Sequence, residues 1–219
     1  GDRIGLVSGG GEIIWPDRQM MIFSEDVLTS KPGSSILFDV KCSRNLRKWI
    51  EEKGGCPIMW KTGHSYMKSK LRETNAVLAG EMSGHIFFND QWYGFDDAVY
   101  AGARLLSILA RKESIQGFLK SLPDSSCTPE LKMNIEGVSV KNIMSKLKST
   151  QMFPRSIELN FIDGIRVEYQ RGFGLVRPSN TTPSLVFRFE GDDLNSLEQI
   201  KYEFRVAMKQ VLPHLETPF

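Results

Sequence analysis

Cysteine and histidine are scarce in this chain, with three of each among 219 residues. Cys42, Cys56 and Cys127 lie far apart, are odd in number and form no Cys-x-x-Cys pair, so neither a disulfide framework nor a cysteine zinc site is implied. There is no apolar run of about 20 residues that could span a bilayer and no basic-then-apolar leader. A reducing cytoplasm is the expected setting. Runs of Lys or Arg are missing, and 28 basic against 26 acidic residues leave a formal net charge of only +2. No broad field therefore draws nucleic acid or an anionic membrane, and any anion is expected to be held locally. The P-loop pattern Gly-x-x-x-x-Gly-Lys-[Ser/Thr] is absent too. What is present is 41% hydrophobic content with mixed charge, the composition of a globular protein with a real core.

The chain opens on Gly1-Asp2-Arg3 without Met and without a strand or helix start, which reads as a cut inside a longer protein. Ile4 to Val7 and Ile13-Ile14 flank Ser8-Gly9-Gly10-Gly11 as a hairpin would. Pro16-Asp17 opens a helix that Pro32-Gly33 stops. Strand-like and helical segments then alternate: Ile36 to Val40 with Arg44 to Lys53, Ile58 to Trp60 with Ser65 to Thr74, and Ala76 to Ala79 with a loop and the helix Asp97 to Arg111. Such alternation predicts an α/β/α layered domain with a mainly parallel sheet. From Leu122 to Pro129 turn formers replace periodic segments, and the domain boundary is placed there, between 122 and 123. Beyond it come a strand (Leu131 to Ile135), a helix (Val138 to Lys148) and three strands (Ile157 to Phe161, Ile165 to Tyr169, Leu185 to Phe189). The helix Asp193 to Val211, apolar on one face, closes the chain. This second part is predicted to be a smaller α+β domain with an antiparallel sheet.

In α/β sheets ligands bind beyond the carboxyl ends of strands. Three such loops are polar, the last two with glycines: Asp39-Val40-Lys41-Cys42-Ser43, Lys61-Thr62-Gly63-His64-Ser65 and Gly80-Glu81-Met82-Ser83-Gly84-His85. Taken singly, a lysine after a strand is more often solvated than functional, and Ser65 serves equally as a helix cap. The Glu81 loop is harder to explain as structure alone, because a carboxylate, a hydroxyl and small neighbours suit vicinal sugar hydroxyls. In the second part, Arg177-Pro178-Ser179-Asn180-Thr181-Thr182-Pro183 combines a planar donor fork with hydroxyls and an amide, donors suited to phosphate. An Asn/Thr/Pro turn is the plainer alternative.

Taken together and in order, Gly1-Asp2-Arg3, Pro16-Asp17-Arg18, Phe38-Asp39-Val40-Lys41-Cys42, Trp60 to Ser65, Gly80 to His85, Gly94-Phe95-Asp96-Asp97 and Gly174 to Pro183 resemble the α-D-phosphohexomutase family. The likeness is greatest to its bacterial phosphomannomutase/phosphoglucomutase branch. The resemblance implies that residues 1–11 are the tail of the family's second domain with the end of its metal loop, 12–122 its third domain and 123–219 its fourth. It implies catalytic roles for Arg3, Lys41 and His85, and sugar contacts for Glu81, Ser83 and His64. Phosphate binding falls to Arg177, Ser179, Asn180, Thr181 and Thr182, and Asp2 is the one surviving metal ligand.

The implied cofactors are Mg²⁺ and, as activator, glucose 1,6-bisphosphate. Hexose phosphates and the N-terminal domains of the same protein are the implied partners, with neither nucleic acid nor membrane. The implied reaction interconverts hexose 1-phosphate and 6-phosphate, of mannose or glucose, through a phosphoserine and a bisphosphate intermediate. Because that serine belongs to a domain outside these residues, the 219 residues alone are expected to be inactive. A phosphoglucosamine mutase is the alternative within the class, though Met82 and Asn180-Thr181-Thr182 differ from that branch. A noncatalytic phosphosugar-binding module is the alternative outside it.

Overall fold

The computed structural model describes the whole chain except residues 136 and 138. Contacts divide it into two compact units, Gly1–Asp124 and Ser125–Phe219.

The first unit begins with a two-strand hairpin, β1 (Leu6–Val7) and β2 (Ile13–Ile14), paired Leu6 to Ile14. There follow α1 (Pro16–Ser30), β3 (Ser35–Asp39), α2 (Arg44–Glu52), β4 (Cys56–Trp60), α3 (His64–Thr74), β5 (Leu78–Gly80), β6 (Ile86–Phe88), α4 (Ala98–Leu109) and α5 (Ile115–Ser121). Local chemistry sets several boundaries: proline starts α1, Ser43 Oγ caps α2 through Asn45 N–H, and Asp97 caps α4 through Val99 and Tyr100. The sheet runs β4-β3-β5-β6, parallel between β3 and its two neighbours and antiparallel between β5 and β6.

Side chains alternate across this sheet with period two. Ile36 and Phe38 of β3 join Met20, Phe23 and Val27 of α1 and Leu46 and Ile50 of α2 in one core. Leu37 faces the other way, with Ala79 and Phe87, onto Met67 and Leu71 of α3. An α/β/α sandwich results, as the alternation of segments predicts. Strand β6 and helix α5 were not expected; β6 has only three residues, too few to show a period.

The second unit holds β7 (Ser126–Cys127), β8 (Leu131–Asn134), α6 (Val140–Leu147), β9 (Glu158–Asn160), β10 (Ile165–Tyr169), β11 (Gly172–Pro178), β12 (Ser184–Gly191) and α7 (Leu194–Val211). The expected start of a helix at Val138 lies outside the described residues. The sheet is antiparallel, ordered β7-β12-β11-β10-β9, with β8 also on β12. Its central strand β11 replaces what reads in sequence as a glycine-rich stretch and a turn. Glycine is a poor strand former, but a Cβ at Gly174 would lie 2.3 Å from the Phe204 ring of α7. Here glycine marks a helix packed hard on a strand.

Phe204 is fully buried against Phe153 and Phe189. Phe204→Ala should therefore cost the second unit about 3–5 kcal/mol of unfolding free energy. Urea unfolding followed by hydrogen exchange of the β12 amides checks this. Tryptophan fluorescence is blind to it, because all four tryptophans (Trp15, Trp49, Trp60, Trp92) belong to the first unit.

Candidate active site

The three polar loops of the first unit leave the carboxyl ends of β3, β4 and β5 and meet at Asp39, the last residue of β3, which has no exposed surface. Asp39 Oδ1 accepts from the backbone N–H of Lys41 at 3.3 Å and of Met82 at 3.3 Å, and from Cys42 Sγ at 3.2 Å. Its Oδ2 accepts from Thr62 Oγ1 at 2.9 Å and faces the Lys41 ammonium at 3.7 Å. Lys41 is itself buried. One step outward, Asp17 Oδ2 accepts from Ser43 N–H at 3.0 Å, fastening the first loop to the start of α1.

Glu81 is 2% exposed. Its two oxygens accept from Gly63 N–H at 3.1 Å and Ser83 Oγ at 3.0 Å, so it ties the second loop to its own. The turn around it closes through Glu81 N–H to His85 O at 2.9 Å and Gly84 N–H to Glu81 O at 3.0 Å. Gly84 adopts φ +92°, and a Cβ there would lie 2.9 Å from the Ile4 carbonyl, so this turn requires glycine. Burial, followed by the negative charge of Asp39, pushes the Glu81 carboxyl up to about 7, against the opposing pull of Ser83, Lys41 and the Gly63 amide.

His85 Nε2 accepts from Arg3 Nε at 3.1 Å. Its Nδ1 lies 2.9 Å from Asp96 Oδ2 and 3.9 Å from Asp2 Oδ2; the nearer contact is at ion-pair distance but not aligned as a hydrogen bond. Lys68 Nζ donates to the other Asp96 oxygen at 3.1 Å. Burial and then the Arg3 charge hold the imidazole below its usual range, opposed by Asp96 and Asp2. At Asp96 burial works upward, but the Lys68 hydrogen bond, a backbone hydrogen bond and the Lys68 and His85 charges together outweigh it, and the carboxyl falls below its usual range. The His64 ring stacks on that of His85 at 5.8 Å. His64 is exposed and is the first residue of α3, with Gly63 as its cap, rather than a loop residue. Arg3, Asp2, His64 and His85 thus form one cluster, and Lys41, Glu81 and Ser83 adjoin it through Asp39 and the Glu81 turn.

Asp2, His85 and Asp96 bring three donor atoms within 4.8 Å of one another, the one such group among the described residues. They do not suit Mg²⁺, a hard ion that prefers oxygen ligands. One donor is an imidazole nitrogen next to the Arg3 cation, and Asp96 is already engaged by Lys68. Asp2 alone offers an exposed carboxylate, which is not a magnesium site by itself.

In the second unit Arg177 is a strand residue, paired with Val186, and its guanidinium is buried. Nε donates to Asp163 Oδ2 at 3.0 Å and Nη2 to Asn180 Oδ1 at 3.2 Å. The loop between β11 and β12 folds around Ser179 Oγ, which accepts from Thr182 Oγ1 at 2.9 Å, Thr182 N–H at 3.3 Å and Thr181 N–H at 3.4 Å. Asn180, Thr181 and Thr182 are exposed. The structure therefore gathers all five candidate phosphate ligands at one sheet edge, beside a guanidinium already oriented by a carboxylate.

Residues 15–125 match the family model "Phosphoglucomutase/phosphomannomutase, alpha/beta/alpha domain III", and residues 129–207 match "Phosphoglucomutase/phosphomannomutase, C-terminal domain". The chain belongs to the phosphoglucomutase/phosphomannomutase family. It is 48% identical over 218 residues to a phosphoglucomutase of Neisseria gonorrhoeae, covering 99% of this chain and 47% of that protein. To a phosphomannomutase/phosphoglucomutase of Pseudomonas putida it is 47% identical over 220 residues, covering 100% of this chain and 47% of the relative. A crystal structure of a family protein from Burkholderia thailandensis superimposes with TM-score 0.93 at 53% identity, over 100% of this chain and 46% of that one. The chain thus spans about half the length of the relatives it matches.

Asp39, Asp96, Lys68 and Asp163 were given no role by sequence reasoning. Asp39 and Asp96 stand inside the family-like stretches, and an aspartate at the end of a strand is a detectable signal. Lys68 on a helix and Asp163 in a turn carry none.

Glu81 fixes a pH dependence. Its folded value lies above the ordinary carboxylate value of 4.5, so the folded state holds the proton more tightly. The associated stability is fully present below about pH 4.5 and is lost as pH rises through 7. Across that window wild type should lose up to about 3 kcal/mol that Glu81→Gln keeps. Urea midpoints of both proteins at pH 5 and pH 8 check this, and equal pH slopes would contradict it.

Proposed function

We propose that the protein containing this chain is a phosphohexomutase that interconverts the 1- and 6-phosphates of mannose or glucose. Family membership supports the reaction class, and one observation carries the reading. Glu81 and Ser83, suited to hydroxyls, and Lys41 and His85, suited to a transferring phosphoryl group, lie beyond the strand ends of a single sheet, where Arg3 joins them by donating to His85.

Glu81 and Ser83 read vicinal hydroxyls of the sugar. A hydroxyl can give its proton to Glu81 as a carboxylate or receive one from it as an acid, and both forms are populated near neutral pH. His85, held neutral by burial and by Arg3, takes up or returns the proton of the reacting hydroxyl. Arg3 and Lys41 offset charge on the phosphoryl oxygens, the main electrostatic task in phosphoryl transfer. Arg177 and the Ser179 loop hold the phosphate that does not react.

Phosphoryl donation falls to a serine outside these 219 residues. It gives its phosphoryl group to the free hydroxyl of the hexose phosphate, the bisphosphate reorients, and the other phosphate returns to the serine. The family's Mg²⁺ would draw on Asp2 from this chain. The 219 residues alone have no turnover, because covalent transfer needs its nucleophile.

In the full-length protein, Glu81→Ala should lower kcat/KM tenfold to a hundredfold or more, since a charge-assisted hydrogen bond is worth roughly 1.5–3 kcal/mol. A coupled assay on glucose and mannose 1-phosphates measures it, and unchanged kinetics on both removes Glu81 from the site. Arg177→Lys should weaken hexose phosphate binding by about tenfold with the fold intact, because lysine lacks the bidentate fork. Calorimetry checks this, and unaltered affinity would overturn the phosphate assignment.

A further inference from the structure

We infer that Asp39 is the positioning residue of the sugar site, the one group through which the three loops carrying Lys41, Thr62-Gly63 and Glu81-Met82-Ser83 hold a common arrangement. The inference rests on the proposed phosphohexomutase reading for its consequence in turnover, and on geometry for everything else.

The carboxylate touches each loop by a different bond. The loop after β3 contributes Lys41 N–H, Cys42 Sγ and the Lys41 ammonium. From the loop after β4 comes the Thr62 hydroxyl, and from the loop after β5 comes Met82 N–H. The sequence distances are 2, 3, 23 and 43 residues, so the carboxylate links segments that chain connectivity leaves independent. It reaches no solvent and makes no contact of its own with an open surface. Its effect on a ligand must pass through its neighbours.

Two groups of the proposed sugar site depend on it, Lys41 directly and Glu81 at one remove. Lys41 is set by its counter-charge, which fixes where the ammonium points. Glu81 follows Asp39 in two ways: through Thr62, which precedes the Gly63 amide bonded to Glu81 Oε1, and through repulsion between the two carboxylates. Facing Glu81 are the Asp39 charge, the Lys41 ammonium, the Ser83 hydroxyl and the Gly63 amide. Asp39 is the one negative charge in that set.

A test separates positioning from mere structural support. In the 219-residue chain with ¹³C-labelled glutamate carboxyls, assigned through Glu81→Gln, the Glu81 titration midpoint should fall by about one pH unit in Asp39→Asn. The substitution keeps shape and an acceptor oxygen but removes the like charge. A second variant, Thr62→Val, removes one bond to the carboxylate and keeps the side chain's volume. In amide spectra its effect should cross to Lys41 and Met82, on the other two loops, and this arm stands even where Asp39→Asn does not fold. In the full-length protein Asp39→Asn should raise KM for glucose 1-phosphate about tenfold, a loss of about 1.4 kcal/mol. An unmoved Glu81 midpoint, or Thr62→Val shifts confined to the loop around Thr62, would overturn the inference. A full-length wild type with no mutase turnover would instead sink the proposed function and leave both spectroscopic arms valid.

Discussion

A carboxylate with no access to water must be surrounded by donors, or it costs several kcal/mol to bury. At Asp39 the donors are loop groups: two backbone amides, a thiol, a hydroxyl and an ammonium. The requirement therefore runs from the interior outward. The loops close on Asp39 because β3, the strand with a parallel neighbour on both sides, ends there. Lys41, Glu81 and Ser83 inherit their places from that closure.

Pairing fits a chain of net charge only +2 to the proposed anion sites, which would act locally rather than through a broad field. In the first unit Lys41 faces Asp39, Lys68 faces Asp96 and Arg3 donates to His85; in the second, Arg177 faces Asp163. The Arg177 guanidinium is held by both Asp163 and Asn180, so its orientation is fixed before any ligand arrives. Nearby carboxylates weaken the anion's field but sharpen its geometry. Specificity is favoured over raw attraction.

Much of this was legible in the residues. The continuous apolar run Ile36-Leu37-Phe38, buried on both faces of its sheet, and the spacing of α7 identify the layers, and the polar loops after β3, β4 and β5 point to the candidate site. Strand β11 escaped, since Gly172 and Gly174 read as a loop until Phe204 is seen to occupy the space a Cβ would need. His64 looked like a loop residue because a glycine cap with φ +133° has no side-chain signature. The links Asp39–Met82 and His85–Asp96 join segments 43 and 11 residues apart, and no local pattern encodes such a meeting.

The Ser179 loop springs from β11 and returns into β12, the strand that is paired on one flank by β11 and on the other by β7 and β8. Interior ladders of this kind open last when a domain fluctuates. The exposed tip thus stands on strands paired into the interior of the sheet, where slow exchange is expected, and its base has little freedom left to surrender. An anion bound there, as proposed, would meet a loop whose base was ordered when the sheet zipped up, so less of the entropic toll of capture would fall on the protein.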